Sequence, residues 1–353
     1  MNRTNRVIKV IIFFIIGILI FQKLNTIFIP QWVDSIDPAT ARIRQFYYEK
    51  RDTLDVIAVG SSEIGRGYSP LTIWKEYGVT SYNFGSSYQT MPIAYYKIKE
   101  ILKYQKPKVI LLGMDAIVRH IEATEESKRK LFDNMKLDNI KIEAIFDKNI
   151  EIKNKDKLSY FFPILRFHSR WGQLEKNNFK KSNKNTYKKV AFKGIPMIKI
   201  KNPYTGNKLY MEDKGEKFEI LDTDLLYIDK IVKMCEENDV KLLWIEMPCP
   251  HSWDLAKSNA TRELADKYKI DFIDLNLMLK DLNIDWDNDT YDYGGHLNIY
   301  GAEKVSSYLG KVIAEKYKCQ DRRQDTQIAN DWNKEVQKYE KAKKIEKIRR
   351  NKK

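Results

Sequence analysis

Cysteine and histidine are scarce in this chain of 353 residues, which contains 3 cysteines and 4 histidines. The cysteines, Cys235, Cys249 and Cys319, form no C-x-x-C pair. They are therefore too few for a disulfide framework and lack the spacing of a structural zinc site. A single Cys235–Cys249 bridge stays open as an alternative to burial of these two thiols in the core. No internal repeat is evident, which argues against a solenoid or propeller.

Nucleotide-binding motifs are missing as well. Gly60 and Gly65 have the outer spacing of a phosphate-binding loop, but Arg66 and Gly67 stand where its lysine and hydroxyl residue should be. The turn also lacks the G-x-G-x-x-G pattern of dinucleotide-binding proteins, and Ile64 replaces the second glycine of a G-x-S-x-G elbow. We therefore expect no nucleotide cofactor. What remains at this turn is a serine that directly follows a predicted strand.

Positive charge is concentrated at the two ends of the chain. The formal net charge is +15, and residues 316–353 alone hold 14 Lys/Arg against 6 Asp/Glu. Basic termini around a nearly balanced middle favour an anionic surface, such as phospholipid headgroups or wall polymers, over a nucleic-acid groove. No nucleic-acid-binding motif accompanies the charge. No nucleic-acid partner is expected.

A long apolar run begins close to the N-terminus. The segment 7–21 is interrupted only by Lys9 and follows a short positive stretch. Small residues with the spacing of a cleavage site do not follow it, which favours an uncleaved anchor over a cleaved signal peptide. Counted to Phe28, the run has about 20 residues, enough to cross a hydrocarbon layer of about 30 Å. The positive-inside rule then predicts a cytoplasmic basic stub and anchor at 1–29, a single pass through the cell membrane, and an extracytoplasmic remainder.

Strand and helix patterns alternate through the rest of the chain. Buried-strand patterns occupy 54–60, 79–85, 107–115, 240–248 and 270–276. Helical patterns occupy 69–78, with Ser69 as N-cap and Pro70 at the first position, and 92–105, 222–238, 254–268 and 299–317. This alternation predicts an α/β fold with a parallel sheet covered by helices on both faces. The predicted catalytic domain covers 30–318 and contains an insertion at about 120–216. The basic charged tail, 319–353, is predicted to be a solvated or frayed helix.

Polar residues gather where the predicted strands end, which is where ligands bind in open parallel sheets. Ser61 and Ser62 follow the first strand, Asn83 and Gly85 the second, and Asp115 the third. A further polar cluster, 287–304, lies between the last strand and the last helix. These residues should meet at one edge of the sheet.

A serine nucleophile needs a base within hydrogen-bond reach. Of the four histidines, His120, His168 and His251 lie in other contexts, whereas His296 has Asp292 four residues before it. A carboxylate beside an imidazole can hold the tautomer that accepts a serine proton. A structural hydrogen-bonding role for His296 stays open as the alternative.

An acidic run close to His296 also permits a metal interpretation. Asp285, Asp287 and Asp289 have the spacing of the first ligands of a calcium loop. Thr290 replaces the required turn glycine, and a histidine stands where the bidentate glutamate should be. We therefore expect a solvated acidic loop and no metal site.

Three blocks of the sequence together resemble a known family. "VGSSE" after the first strand, Asn83-x-Gly85 after the second and "DYGGHLNIYGAEK" near the end are similar to blocks of the SGNH/GDSL hydrolase superfamily. The most similar branch is the membrane-anchored bacterial one related to the lipoteichoic acid D-alanylation protein. The resemblance implies a flavodoxin-like three-layer fold, with Ser62 as nucleophile and His296 as base. It also implies an oxyanion site built from the backbone of Ser62, from Gly85 and from a third donor.

Two positions depart from that family's pattern. The family's acid would fall at position 293, which is Tyr here, so that Asp292, with Asp289 behind it, becomes the candidate acid. Asp115 replaces the usual asparagine after the third strand, and Asn83 is the substitute donor to consider.

The expected function is that of an extracytoplasmic, membrane-anchored serine esterase or acyltransferase. Its substrates would be acyl esters of a cell-envelope polymer or glycan, and no metal or cofactor is required. The resemblance further implies a membrane-bound O-acyltransferase as a partner. The alternative is a non-catalytic envelope-binding or scaffold protein that keeps the SGNH fold.

Overall fold

The computed structural model describes residues 3–29, 38–117, 123–179 and 192–345. Its centre is a sheet of five parallel strands in the order β2-β1-β3-β4-β5. The strands are β1 (Val56–Val59), β2 (Ser81–Asn83), β3 (Val109–Gly113), β4 (Lys241–Glu246) and β5 (Asp271–Asp274). This order is that of flavodoxin-like sheets. The predicted α/β class and parallel sheet are confirmed.

Thirteen α-helices are found within the described ranges. They are α1 (Arg3–Ile27), α2 (Pro38–Phe46), α3 (Ser62–Gly67), α4 (Pro70–Tyr77), α5 (Met91–Tyr104), α6 (Glu125–Phe132), α7 (Asn139–Phe146), α8 (Asn154–Lys157), α9 (Pro163–Phe167), α10 (Asp222–Glu237), α11 (Leu255–Tyr268), α12 (Ile299–Glu315) and α13 (Thr326–Lys344). Short 3-10 turns connect several of them, including Met114–Ile117 after β3 and Leu275–Met278 after β5.

Helices cover both faces of the sheet, which makes three layers. Because side chains alternate along a strand, Ile57 and Val59 enter one buried cluster while Val56 and Ala58 enter the other. The first cluster includes the apolar faces of α5 and α10, and the second includes residues of α4 and α12. Burial on both sides explains why the strands read as continuous apolar runs.

The C-terminal tail departs from the prediction. Within α13, Trp332 is only 3% exposed and its ring lies 5.1 Å from that of Trp74 on α4. Tyr339 is fully buried and donates a hydrogen bond to Glu303 of α12 (2.8 Å). Ile328, Trp332 and Tyr339 recur at helical spacing and form one apolar stripe. The predicted helix is therefore present at Thr326–Lys344, but this stripe is packed against the domain rather than solvated.

The latter part of the predicted insertion runs along the segment between β5 and α12. The backbone N–H of Asn202 donates to Thr290 O (3.1 Å), and that of Tyr204 donates to Trp286 O (3.0 Å). The N–H of Ile299 in turn donates to Ile198 O (2.8 Å). These bonds brace the loop that carries His296. The predicted domain boundaries themselves stay a prediction.

The N-terminal helix has the properties expected of a membrane anchor. Residues Asn5–Ile27 of α1 form the one helix, among the described residues, that is long and apolar enough to cross a membrane. Its apolar side chains from Val7 to Phe21 are exposed. A helix with these properties near the N-terminus is a candidate for a membrane anchor, and a signal sequence shares them.

Candidate active site

The turn after β1 presents one serine and buries the other. Gly60 must be a glycine, since a Cβ there would lie 2.2 Å from Cγ1 of Ile64 as the chain folds back into α3. Ser61 is fully buried and caps α3, because its Oγ accepts a hydrogen bond from the N–H of Glu63 (3.2 Å). Ser62 is the first residue of α3, and it is the serine left to meet a partner.

Ser62, His296 and Asp292 form a continuous chain of hydrogen bonds. Ser62 Oγ lies 2.8 Å from Nε2 of His296, although the two residues are 234 positions apart. On the other side of the ring, Nδ1 of His296 lies 2.5 Å from Oδ2 of Asp292. Oδ1 of Asp292 also accepts the backbone N–H of His296 (2.7 Å). Both oxygens of the carboxylate are thus fixed on the same histidine, which orients its ring toward the serine.

The carboxylate that is hydrogen-bonded to this histidine belongs to Asp292 rather than to Asp289. Burial alone would raise the pKa of the Asp292 carboxyl, but the hydrogen bonds and charge of His296 outweigh it and hold that pKa below its ordinary value. Asp289 is occupied elsewhere, with its Oδ2 on Nζ of Lys304 (2.6 Å) and on the N–H of Asp285 (2.7 Å). Asp292 therefore stays ionised beside the imidazole.

The fold of the loop explains how an acid four residues before the histidine can reach it. Tyr293 and Gly294 both adopt left-handed backbone conformations, with φ of 63° and 96°. Thr290 Oγ1 accepts the N–H of Gly294 (2.8 Å) and donates to the carbonyl of His296 (2.9 Å). The chain is thereby turned back on itself, and Tyr293, at the position where the resemblance places the acid, is 61% exposed.

Of the other histidines that the structure describes, neither His168 nor His251 is hydrogen-bonded to Ser62, although the charge of His251 helps to lower the pKa of Asp292. The ring of His251 contacts that of Tyr204, with centroids 5.5 Å apart. Nδ1 of His168 lies 3.1 Å from the carbonyl of Leu165, in a separate part of the chain. His120 lies outside the described residues.

The polar groups of Asn83 and Gly85 are used within the backbone rather than at Ser62. The fully buried amide of Asn83 donates to the carbonyls of Ile64 (2.9 Å) and Tyr68 (2.7 Å). Its Oδ1 accepts the N–H of Gly85 (3.0 Å). These hydrogens are engaged within the protein, and donation by either residue to an oxyanion stays a prediction. Their observed contribution is to hold α3 against the end of β2.

Close packing explains why position 85 is a glycine. A Cβ on Gly85 would lie 2.3 Å from the backbone nitrogen of Gly65 in α3. The buried guanidinium of Arg42 reinforces this approach, since it donates to the carbonyls of both Gly85 and Gly65 (the latter at 2.8 Å). The helix that carries Ser62 is thus held by a close backbone contact, which leaves no room for a side chain at position 85, and by the hydrogen bonds of Arg42.

Two residues beside the histidine were not found from the sequence. The ring of Tyr291 stacks on that of His296, with centroids 5.8 Å apart and an interplanar angle of 21°. The guanidinium of Arg66 lies 5.9 Å from the Tyr291 ring. Arg66 follows Ser62 by four residues, one helical turn, and this spacing could have indicated it. For Tyr291 the sequence carries no comparable signal.

Three buried carboxyl groups lie directly behind the serine turn. Glu63, Asp115 and Glu246 each place an oxygen within 4.8 Å of the others, an arrangement with the donor set of a hard cation. Asp115 is 1% exposed and belongs to this cluster. Glu63 also accepts a hydrogen bond from Ser252 (2.7 Å). The acidic run 285–289 is instead engaged in turn hydrogen bonds and in the ion pair with Lys304.

Glu246→Gln should stabilise the protein increasingly as pH rises. Burial first, and then the charges of Glu63 and Asp115, raise the pKa of Glu246 well above its ordinary value. When the pKa of a carboxyl is higher in the folded than in the unfolded protein, the free energy of unfolding falls as pH rises from the unfolded-state pKa to the folded-state pKa. The loss is about 1.4 kcal/mol for each unit by which the two pKa values differ. Glutamine does not ionise, so the variant does not lose this stability. The melting temperatures of variant and parent, measured from mildly acidic to mildly alkaline pH, give the difference.

The matched control is Glu263→Gln on α11, whose side chain is exposed. That variant should track the parent at every pH. A Glu246→Gln protein that unfolds at the parent's temperature throughout the alkaline range would contradict a protonated Glu246.

Comparisons with known proteins give similarity at the level of solved structures only. No protein-family model matches the chain, and no curated protein matches it. It is similar to a proposed acylhydrolase from Bacteroides fragilis NCTC 9343, with 13% sequence identity, coverage of 77% of this chain and 94% of that chain, and a TM-score of 0.35. It is also similar to a proposed lipolytic protein of the G-D-S-L family from Desulfitobacterium hafniense DCB-2, with 13% identity, coverage of 73% and 98%, and a TM-score of 0.35. Similarity at this level assigns no function, which has to follow from the side chains of this chain itself.

Proposed function

We propose that this protein is a membrane-anchored serine esterase or acyltransferase, with Ser62 as nucleophile, His296 as general base and Asp292 as the acid that orients it. The observation that carries the proposal is the pair of hydrogen bonds on the two nitrogens of His296, 2.8 Å to Ser62 Oγ and 2.5 Å to Asp292 Oδ2. A serine becomes a competent nucleophile when a base stands within this distance and a third group orients the base.

The proposed reaction has two steps, acylation of Ser62 and its deacylation. Ser62 Oγ attacks the carbonyl carbon of an ester while its proton passes to Nε2 of His296. The leaving alcohol then takes that proton as the bond to it breaks, which leaves an acyl group on Ser62. In the second step Nε2 of His296 takes a proton from water or from an acceptor hydroxyl as its oxygen attacks the acyl carbon. The bond from that carbon to Ser62 Oγ then breaks, and His296 returns the proton to Oγ, which restores the serine and the neutral imidazole. Asp292 remains ionised and stabilises the imidazolium in both steps.

The oxyanion of each step needs at least one donor. The first N–H groups of a helix have no partner within that helix, and Ser62 occupies the first position of α3. We assign the backbone N–H of Ser62 to this role. This N–H belongs to the same residue as the attacking Oγ, so it lies close to the carbonyl carbon in both steps.

The substrate class follows from location. If α1 spans the cell membrane with its basic end in the cytoplasm, the site faces the cell envelope, where acyl esters of polymers or glycans are available and nucleotides are scarce. The C-terminal residues 316–353, with 14 Lys/Arg against 6 Asp/Glu, suit an anionic polymer or surface. In the acyltransferase form of the proposal, a membrane-bound O-acyltransferase supplies the acyl group and the envelope hydroxyl receives it.

A fluorophosphonate probe tests the nucleophile directly. The probe reacts with a serine only when that serine is activated, since Oγ must displace fluoride from phosphorus. The full-length protein should be labelled, and Ser62→Ala should abolish the labelling. The matched control is Ser61→Ala, which removes a helix cap worth about 1 kcal/mol but leaves the hydroxyl of Ser62 in place, so labelling should persist.

Absence of labelling in a protein that unfolds cooperatively would overturn the enzymatic proposal. It would favour the alternative of a non-catalytic, envelope-binding protein with the same fold. Labelling that survives Ser62→Ala but is lost in Ser61→Ala would show that the nucleophile is Ser61 and would contradict the assignment to Ser62.

A further inference from the structure

A second apolar surface adjoins the N-terminal helix. Residues 158–173, named the collar here, comprise the 3-10 turn Leu158–Tyr160, helix α9 and the 3-10 turn His168–Gln173. The proposed chemistry at Ser62 does not use them. Their sequence, LSYFFPILRFHSRWGQ, is rich in aromatic residues and contains no acidic residue.

The collar packs along the C-terminal end of α1 and the residue that follows it. The ring of Phe162 lies 5.5 Å from that of Phe21, and the ring of Trp171 stacks on Phe28 at 5.5 Å and 23°. Polar contacts join the same surfaces. The N–H of Ile164 donates to Oδ1 of Asn25 (3.1 Å), and Arg170 donates to the carbonyl of Phe28 (2.7 Å). The collar is therefore held at a defined height on α1.

That height places the collar at a membrane boundary if α1 spans a bilayer. The candidate span is Asn5–Ile27, and Phe21 lies six residues before its end, about 9 Å along a helix axis. A ring that contacts Phe21 must then lie at or below the level where the hydrocarbon layer begins. Phe162 cannot be surrounded by bulk water while Phe21 is in lipid.

The exposed side chains of the collar fit the same boundary. Trp171 is 70% exposed, Leu165 is 49% exposed and Phe162 is 38% exposed. The collar also carries two cationic residues, Arg166 and Arg170. Aromatic and aliphatic side chains together with arginine are typical of segments that lie in the plane of a membrane interface. An anionic lipid surface complements both the apolar side chains and the charge.

From these contacts we propose that the collar is a membrane-binding element, which inserts Phe162, Leu165 and Trp171 into the outer interfacial layer of an anionic phospholipid bilayer beside α1. The proposal rests on α1 acting as a membrane anchor and is independent of the chemistry at Ser62. With α1 and the collar both in lipid, the catalytic domain cannot rotate freely about a single helix. Its orientation relative to the membrane is therefore fixed.

Environment-sensitive probes on the full-length protein test this. Single cysteines are introduced as Leu165→Cys, Phe14→Cys and Leu277→Cys, and each is labelled with a polarity-sensitive fluorophore. The native thiols are all buried. Leu277 is 50% exposed in the turn after β5 and serves as the matched control, while Phe14 reports on α1. Each protein is reconstituted in two sets of vesicles of phosphatidylcholine and phosphatidylglycerol. One set contains lipids with a nitroxide near the headgroup end of the acyl chain, which matches the expected depth of position 165, and the other contains lipids with a nitroxide near the chain terminus, which matches that of position 14.

The fluorophore at position 165 should lose severalfold more emission to the nitroxide lipids than the one at position 277, and its emission should shift to shorter wavelength. Quenching at 165 no greater than at 277, with the probe at position 14 strongly quenched, would overturn the collar while leaving the anchor intact. A probe at position 14 that is not quenched would show that α1 itself does not enter the bilayer, and the collar proposal would fall with it. Fluorophosphonate labelling of the same samples reports separately on Ser62.

Discussion

Replacing His296 with alanine is expected to lower kcat for the hydrolysis of an activated acyl ester by about 10⁴-fold or more. The physical reason is that Ser62 Oγ lies 2.8 Å from Nε2 of His296, and this nitrogen is the only base that the described residues place on that hydroxyl. Without it, the serine must lose its proton to water during attack. Steady-state kinetics with a chromogenic ester measures the loss, and the rate of fluorophosphonate labelling should fall with it.

Two controls distinguish a base from a residue that merely supports the fold. Adding Ser62→Ala to His296→Ala should cost little more than either change alone, since residues that act as one unit are not additive. His251→Ala, a change at the exposed histidine that contacts Tyr204, should leave kcat within about an order of magnitude, as expected for a group outside the proton path. An equal loss from His251→Ala would contradict the choice of base.

Much of the fold could be predicted because burial on both faces leaves a clear pattern in the sequence. The predicted strands 54–60, 107–115 and 240–248 contain the observed β1, β3 and β4, each longer than the hydrogen-bonded core by a few residues. The helix predicted at 69–78 is found at Pro70–Tyr77, with Ser69 at the N-cap position and Pro70 at its start, although the Ser69 side chain makes no capping hydrogen bond. These are short-range or strictly periodic features, which a sequence displays directly.

The parts that were missed depend on partners distant in sequence. The stripe on α13 looked too sparse to be buried, and only the presence of Trp74 on α4 gives Trp332 a surface to pack on. The hydrogen bonds of the Asn83 amide to the carbonyls of Ile64 and Tyr68, in α3 and just beyond it, were likewise not predicted. Neither partner can be deduced without knowing how the helices return to the sheet.

At the site, residue types were easier to predict than their geometry. A serine after β1 and a histidine between β5 and α12 belong at the same edge of the sheet in a fold of this topology. The structure brings them within hydrogen-bond distance. Which carboxylate serves the histidine depends on the left-handed turn at Tyr293 and Gly294. Gly294 and Gly295 indicate a turn at this place, but tyrosine at a positive φ is uncommon, so the conformation of the turn could not be predicted.

Asp292→Asn should lower kcat by about 10⁴-fold, the size of effect seen when the acid of a serine triad becomes an amide. Asp292 accepts from both Nδ1 and the backbone N–H of His296. An asparagine in this place can turn its NH₂ toward Nδ1, which leaves the proton on Nε2 and removes the lone pair that should accept from Ser62. The loss should appear in kcat far more than in KM, measured with the same chromogenic ester.

Asp289→Asn is the matched control, because Asp289 is paired with Lys304 and not with the histidine. It should retain kcat within about an order of magnitude even if it unfolds at a lower temperature. Stability gives an independent readout for Asp292. Since its pKa is lower when folded, its ionised form contributes stability above the unfolded pKa that is lost as pH falls through the folded pKa. The melting temperatures of Asp292→Asn and the parent should therefore converge at acidic pH. Kinetic losses from Asp289→Asn that match those from Asp292→Asn would contradict the assignment of the acid.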